Sequence, residues 1–341
     1  MKRLLTILAV IASAALLQWG LAALLLDGPI RQGPYYYQIL ILAGVNVILA
    51  VSLNLTNGIT GQFSIGHAGF FAVGAYVAAA VSVYAGPSIR AVTEFLPVFA
   101  ADGVLLLIAS SLGMLAAAGA GWLVGMPSLR LRGDYLAIMT LGFGEIIRVV
   151  ILNVNAVGGA RGFTGIPRLA DFFWVFLGAA ACVAVVRNIV RSSQGRALLA
   201  IREDEIAAQS MGLAVTRHKV AAFVIGAAFA GLAGSLFGHF TMFLHTNSFT
   251  FVKSFEIVIM IALGGLGSIA GAVLGAVTLT VLPELFRGFA EYRMVIYALA
   301  LILIMIYRPQ GLLGTGRFLG AGRNLFKRAG SKHARNDKDA A

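Results

Sequence analysis

Two charged side chains stand inside an apolar stretch, in Gly142-Phe-Gly-Glu145-Ile-Ile-Arg148. Their i, i+3 spacing sets both on one helical face, where each neutralises the other. An ionisable group at the centre of a bilayer costs about 2.5–3.5 kcal/mol on insertion scales, so such a pair needs a reason. Two readings stand: Glu145 and Arg148 line or gate a pathway, or they form a structural ion pair that fixes helix register. His67 sits in a glycine-rich run, where it could donate to a freed carbonyl or contact a polar substrate. Elsewhere chemistry is sparse. No His, Cys and carboxylate set has metal-ligand spacing, and no Ser–His–Asp or Cys–His set is placed for catalysis. No lysine follows a glycine, so there is no P-loop and no ATP site of that kind. The single cysteine, Cys182, excludes an intrachain disulfide.

The elements that must hold these residues are helices in lipid. Of 341 residues, 59% are hydrophobic and 12% charged, with a mean hydropathy of +0.89. Soluble domains carry about 25% charged residues, so composition excludes a soluble enzyme and a disordered chain. A spanning helix needs about 20 apolar residues. Ten segments qualify: 4–26, 35–55, 63–84, 103–126, 135–153, 172–190, 220–241, 255–267, 270–286 and 293–307. The fold class is therefore all-α, a polytopic membrane helix bundle of about ten spans. The eighth and ninth are short and glycine-rich, which makes them a broken or re-entrant hairpin, and 56–66 could also re-enter.

Even parity places both termini on one side. With that side cytoplasmic, 18 of the 26 Lys and Arg fall inside, as the positive-inside rule requires. The net charge of +12 then reports topology, and no nucleic acid is needed to explain it. The basic tail, 315–341, follows a permease domain, 1–314, as a disordered cytoplasmic extension that contacts anionic lipid or signals topology. Lys2-Arg3, an apolar run and Ala12-Ser13-Ala14 have the form of a signal peptide. The run of about 23 residues exceeds the usual 7–15, so it reads as a retained first span.

There are 41 glycines. In lipid, close backbone packing joins helices, and Gly121/Gly125, Ala227/Gly231, Ala230/Gly234 and Gly271/Gly275 have the small-xxx-small spacing for it. Two runs are denser, Asn57 to Gly69 and Leu263 to Gly271. Breaks of this kind line transport pathways when their freed backbone faces protein or water. They mark Gly61, Ser64, Gly66, His67, Gly264, Gly265 and Gly267 as pathway candidates beside Glu145 and Arg148. Gly265-x-Gly267-x-x-Ala270 has dinucleotide-fingerprint spacing but no βαβ context. Ser64-Ile65-x-x-Ala68 is echoed by Ser268-Ile269-x-x-Ala272. Glu256, Glu284 and His239 fall near the outer ends of their spans, where interfacial water would solvate them.

The loop 188–219 is longer than a connection needs. Arg196 to Met211 reads as an amphipathic helix with Ala197, Ala200, Ile201, Ala208 and Met211 as apolar contacts. Gly212 suits a left-handed stop, and the run 203–205 could cap a helix start if a break falls near Arg202. Such a helix either lies on lipid or docks a cytoplasmic partner.

The sequence resembles the permease subunits of bacterial ABC importers for branched-chain amino acids. Four stretches carry the resemblance: Leu53 to Phe71, Arg130 to Arg148, Gly195 to Gly212, and Pro309 to Gly314. Urea and short-chain amide importer permeases have similar motifs. The resemblance implies a coupling loop in 196–212, carrying Arg196, Glu203 and Gly212. Its Glu205-Ile-Ala207-Ala208 departs from the Glu-Ala-Ala motif by the inserted Ile206. It also implies a second permease subunit, two cytoplasmic ATPase subunits that use the ATP, and an extracytoplasmic binding protein. This chain would bind no cofactor and reside in the bacterial cytoplasmic membrane. From the residues alone, a self-sufficient secondary transporter or channel with Glu145 as its proton site is the other reading.

Overall fold

The computed structural model describes residues 2–26, 33–93, 97–129, 131, 133–285 and the single positions 295, 298, 299, 302, 306 and 311. The tail 315–341 and nearly all of 293–307 and Pro309 to Gly314 lie outside these. Among the described residues every element is helical, apart from one β-bridge between Phe163 and Leu244.

Helix α1 (Lys2–Leu21) runs on through a wider turn, Ala22–Leu26. Helix α2 (Gly33–Asn54) continues as a π-turn to Ile59, giving a 27-residue apolar stretch. Helix α3 (His67–Ala80) continues through a second π-turn, Val81–Ala85, into α4 (Gly86–Val92). Helices α5 (Val98–Ser128), α6 (Asp134–Asn153) and α7 (Phe172–Arg191) follow. Two short helices, α8 (Ser193–Glu203) and α9 (Glu205–Ser210), lead to α10 (Val215–Thr241). Helices α11 (Phe251–Gly264) and α12 (Ile269–Leu285) end the described run. Among the described residues six helical stretches are long and apolar enough to cross a membrane: 33–59, 67–92, 98–128, 134–153, 172–191 and 215–241. Large apolar side chains cover their outer faces, among them Leu115, Leu123, Ile138, Ile146 and Val150. That is the surface of a multi-pass membrane protein, because lipid imposes no cost on them.

The centre is a crossing of α3, α5 and α10 made of glycine. A methyl added at Gly74 would stand 2.2 Å from the Gly231 Cα, and one at Gly113 would stand 2.7 Å from the Gly74 carbonyl oxygen. One at Gly234 would stand 2.1 Å from the Phe71 carbonyl oxygen. Only absent side chains allow this approach. The expected pair Gly121/Gly125 faces Ala227 and Phe223 of α10.

Residues 193–210 form two helices, where the sequence pattern predicts one. Asp204 is extended, and its carboxylate accepts from the Ile206 and Ala207 amides at 2.9 and 3.0 Å, capping α9. The acidic run therefore ends one helix and starts the next. Gly212 takes the left-handed conformation, φ +82°, as a stop there requires. Asp204→Ala is expected to remove about 1 kcal/mol of local stability. Hydrogen exchange at amides 206–208 should accelerate about fivefold while α10 is unchanged.

Candidate functional site

The two glycine-rich breaks lie against each other at one end of the bundle. Residues 60–66 form an irregular loop, so α3 starts at His67, four residues after the expected span start. The second break, Gly265 to Ser268, turns α11 into α12. Asn54 joins them. Its Oδ1 accepts the Gly267 amide at 2.8 Å, and its Nδ2 donates to the Ser268 carbonyl at 3.2 Å. Asn57 clamps the first loop on itself: its amide donates to the Ser64 carbonyl and its Oδ1 accepts the Ser64 amide, at 3.0 and 3.2 Å. Gly61, Gly265 and Gly267 adopt positive φ, +73°, +108° and +84°. A methyl at Gly66 would stand 2.2 Å from the Thr140 carbonyl oxygen, and one at Gly264 would stand 2.0 Å from the Gly271 carbonyl oxygen, so both mark close approaches. Gly311 packs on Gly264 and Gly265.

Arg202, at the end of α8, covers this junction. Its guanidinium donates to the Gly58 carbonyl at 2.7 Å. Its stem lies over Gly61, and a methyl at Gly267 would meet its Nη1 at 2.9 Å. The sequence marks Arg202 as one of the cytoplasmic charges and as the neighbourhood of a helix break, and as nothing more. No spacing could reveal more, because the bond spans 144 residues.

The rest of the α8–α9 unit is held by three buried apolar residues, Leu198, Ile201 and Ala208. Leu198 replaces the expected Ala200, which is exposed, and Met211 is 84% exposed. The break at Asp204 rotates the helical face, so a single stripe through 211 does not form. Glu205 pairs with Lys219 of α10 at 2.8 Å. Arg196, Glu203, Ala207 and Gly212 are exposed on the outer side of the unit. Those positions offer a partner both charge and a small flat surface.

His67 is buried, and its Nε2 lies 2.9 Å from the Ser52 hydroxyl of α2. Its partner is thus a hydroxyl in place of the anticipated carbonyl. The neighbouring Ala68 amide donates to the Ser254 hydroxyl of α11, and the Ile65 amide donates to Thr140 of α6. These bonds gather α2, α3, α6 and α11.

Glu145 and Arg148 pair at 2.6 Å, halfway along α6. The other Glu145 oxygen accepts the Phe251 amide at 3.0 Å, so this carboxylate also caps α11. Residues Ile65, Ala68, Gly69, Leu141, Gly144, Phe249 and Ser254 line a narrow cleft at this point. Helix α11 therefore begins at mid-height. Lys253 agrees: its ammonium donates to Asn46 at 3.2 Å and to Glu256 at 3.0 Å, and Asn46 is the midpoint of the stretch 33–59. Glu256 consequently lies near mid-height, away from the outer end predicted for it, with its side chain only partly buried. His239 is also misjudged by position alone. The chain turns back inward after Thr241, and the segment with Leu244 and Phe249 covers the end of α10. His239 is fully buried, with Nδ1 on the Ser235 carbonyl at 2.8 Å. Glu284 alone stays at a helix end, where the Tyr35 hydroxyl bonds it. Among the described residues no cluster of His, Cys, Asp and Glu could hold a metal ion.

Comparison with known proteins gives the family. The family described as the permease component of the branched-chain amino acid transport system matches residues 35–307. The chain is 40% identical to the high-affinity branched-chain amino acid transport system permease LivM of Salmonella typhimurium, over 79% of this chain and 68% of that one. It is 39% identical to LivM of Escherichia coli over the same shares. The E. coli LivH permease is 26% identical over 80% of this chain and 92% of its own. No solved structure matches significantly. A multi-pass helical bundle with two glycine breaks, matched along most of its length, belongs to the branched-chain amino acid transport system permease family.

Proposed function

We propose that this chain is the transmembrane permease subunit of an ABC importer that moves branched-chain, hydrophobic amino acids into the cytoplasm. Its partners are a second permease subunit, two ATPase subunits and an extracytoplasmic binding protein. The chain crosses the bacterial cytoplasmic membrane about ten times, with both termini cytoplasmic, and binds no cofactor. ATP is consumed by the partners, in keeping with the missing P-loop. The observation that carries this reading is the ordered α8–α9 unit seated on both glycine breaks. A loop lying on lipid needs no such contact, whereas a loop that receives a push from an ATPase does. Arg196, Glu203, Glu205, Ala207, Ala208 and Gly212 form or support the receiving surface.

The amino acid passes beside Glu145, Arg148 and the start of α11 when the packed seam there opens. A zwitterion suits that place. Its ammonium complements Glu145, and its carboxylate complements Arg148 and the positive end of the α11 dipole. Ile65, Ala68, Leu141 and Phe249 offer apolar contact to a branched side chain. The names of the relatives favour this substrate over urea or a short amide.

The full complex in proteoliposomes should import leucine, isoleucine or valine only with ATP inside and loaded binding protein outside. Import of urea or acetamide in their place overturns the substrate. Solute flux through this chain alone, driven by a proton gradient, overturns the subunit assignment.

A further inference from the structure

Arg202 is the one charged side chain of α8 that reaches the membrane-embedded part of the bundle through a described hydrogen bond, and it reaches both breaks at once. Its guanidinium holds the Gly58 carbonyl, at the entry to the first irregular loop, and its stem lies over Gly61 within that loop. The same guanidinium stands against the left-handed Gly267 of the second break.

Beside Gly61, the Gln62 side chain is buried with neither amide atom bonded among the described residues. A buried amide left unpaired is costly, so this position of the loop is held by its surroundings against that cost. Glycines at positive φ on both sides let the two loops move without strain in their own backbones.

We propose that Arg202 is the positioning residue that carries motion from the α8–α9 unit to the two glycine breaks together. When the unit moves, the guanidinium draws the Gly58 carbonyl and the Gly267 turn with it, and Asn54 keeps the two breaks in step. The inference rests on the importer reading above.

The test compares Arg202→Met, which keeps the apolar stem and removes the donors, with Arg202→Lys, which keeps a charged donor. Both are assembled into the full complex in proteoliposomes, and ATP hydrolysis stimulated by loaded binding protein is measured beside leucine import. Arg202→Met should assemble and hydrolyse ATP within about threefold of the unaltered complex, while import falls about tenfold or more. The ATP spent per leucine then rises, and Arg202→Lys should recover part of the import. Hydrolysis and import falling in parallel, or a ratio within about twofold of the unaltered complex, overturns the proposal. So does loss of assembly in both variants, which would make the contact one of architecture. Failure of the unaltered complex to import leucine is a separate result and strikes the importer reading itself.

Discussion

Gly74→Val is expected to prevent the bundle from closing, at a cost of more than about 3 kcal/mol. The added Cβ would lie 2.2, 2.3 and 2.5 Å from the Cα, carbonyl oxygen and carbonyl carbon of Gly231. These are backbone atoms of α10, so no rotamer change relieves the clash. The helices must separate, and Gly231 is itself wedged against Ala117 and Gly113 of α5. One side chain thus opens contacts among three helices. Gly119→Ala, in α5 with nothing within 4 Å, is the control. It should be neutral or stabilise by up to about 1 kcal/mol, since alanine is the better helix former. Thermal unfolding in detergent should fall by about 6 °C or more for Gly74→Val and change by less than about 3 °C for Gly119→Ala. Equal midpoints for the two variants would refute the glycine crossing as the centre of the fold.

Glu145→Ala is expected to be the most damaging single change near the cleft. It strips Arg148 of its counter-charge halfway along α6 and uncaps α11. An unpaired arginine at that depth costs about 2.5–3.5 kcal/mol, and a lost cap about 1 kcal/mol more. Arg148→Met should cost less, because the Phe251 amide still holds the carboxylate. The double variant Glu145→Gln, Arg148→Met removes both charges and should recover most of the stability lost by Glu145→Ala. Import separates the two roles of the pair. A pathway role predicts a stable double variant whose leucine import is reduced about tenfold or more. Import within about twofold of the unaltered complex would leave the pair a structural lock.

Much of the fold is legible in the sequence because spanning helices advertise themselves by length. The expected spans 135–153 and 172–190 differ by a residue at most from α6 and α7 at each end. Gly212 and the acidic run are legible as punctuation, since a left-handed stop and an N-cap are local devices. The i, i+3 pair in α6 is legible for the same reason. What escapes depends on the path of the chain between helices. Glu256 and His239 are misplaced because nothing in their own neighbourhoods announces that the chain turns inward after Thr241. Asn54 and Arg202 join segments far apart in sequence, and a single sequence holds no trace of such pairings.

Helix α11 carries a consequence for how the protein is made. Its 14 residues rise about 21 Å, short of the roughly 30 Å hydrocarbon layer, and two of them are Lys253 and Glu256. Such a segment has little tendency to leave an insertion channel for lipid by itself. It gains a favourable place only when α12 has emerged to complete the hairpin and Asn46 of α2 is there to receive the ammonium. Biogenesis should therefore release residues 251–285 as one unit, late, into a groove that α2 has kept open since early in synthesis.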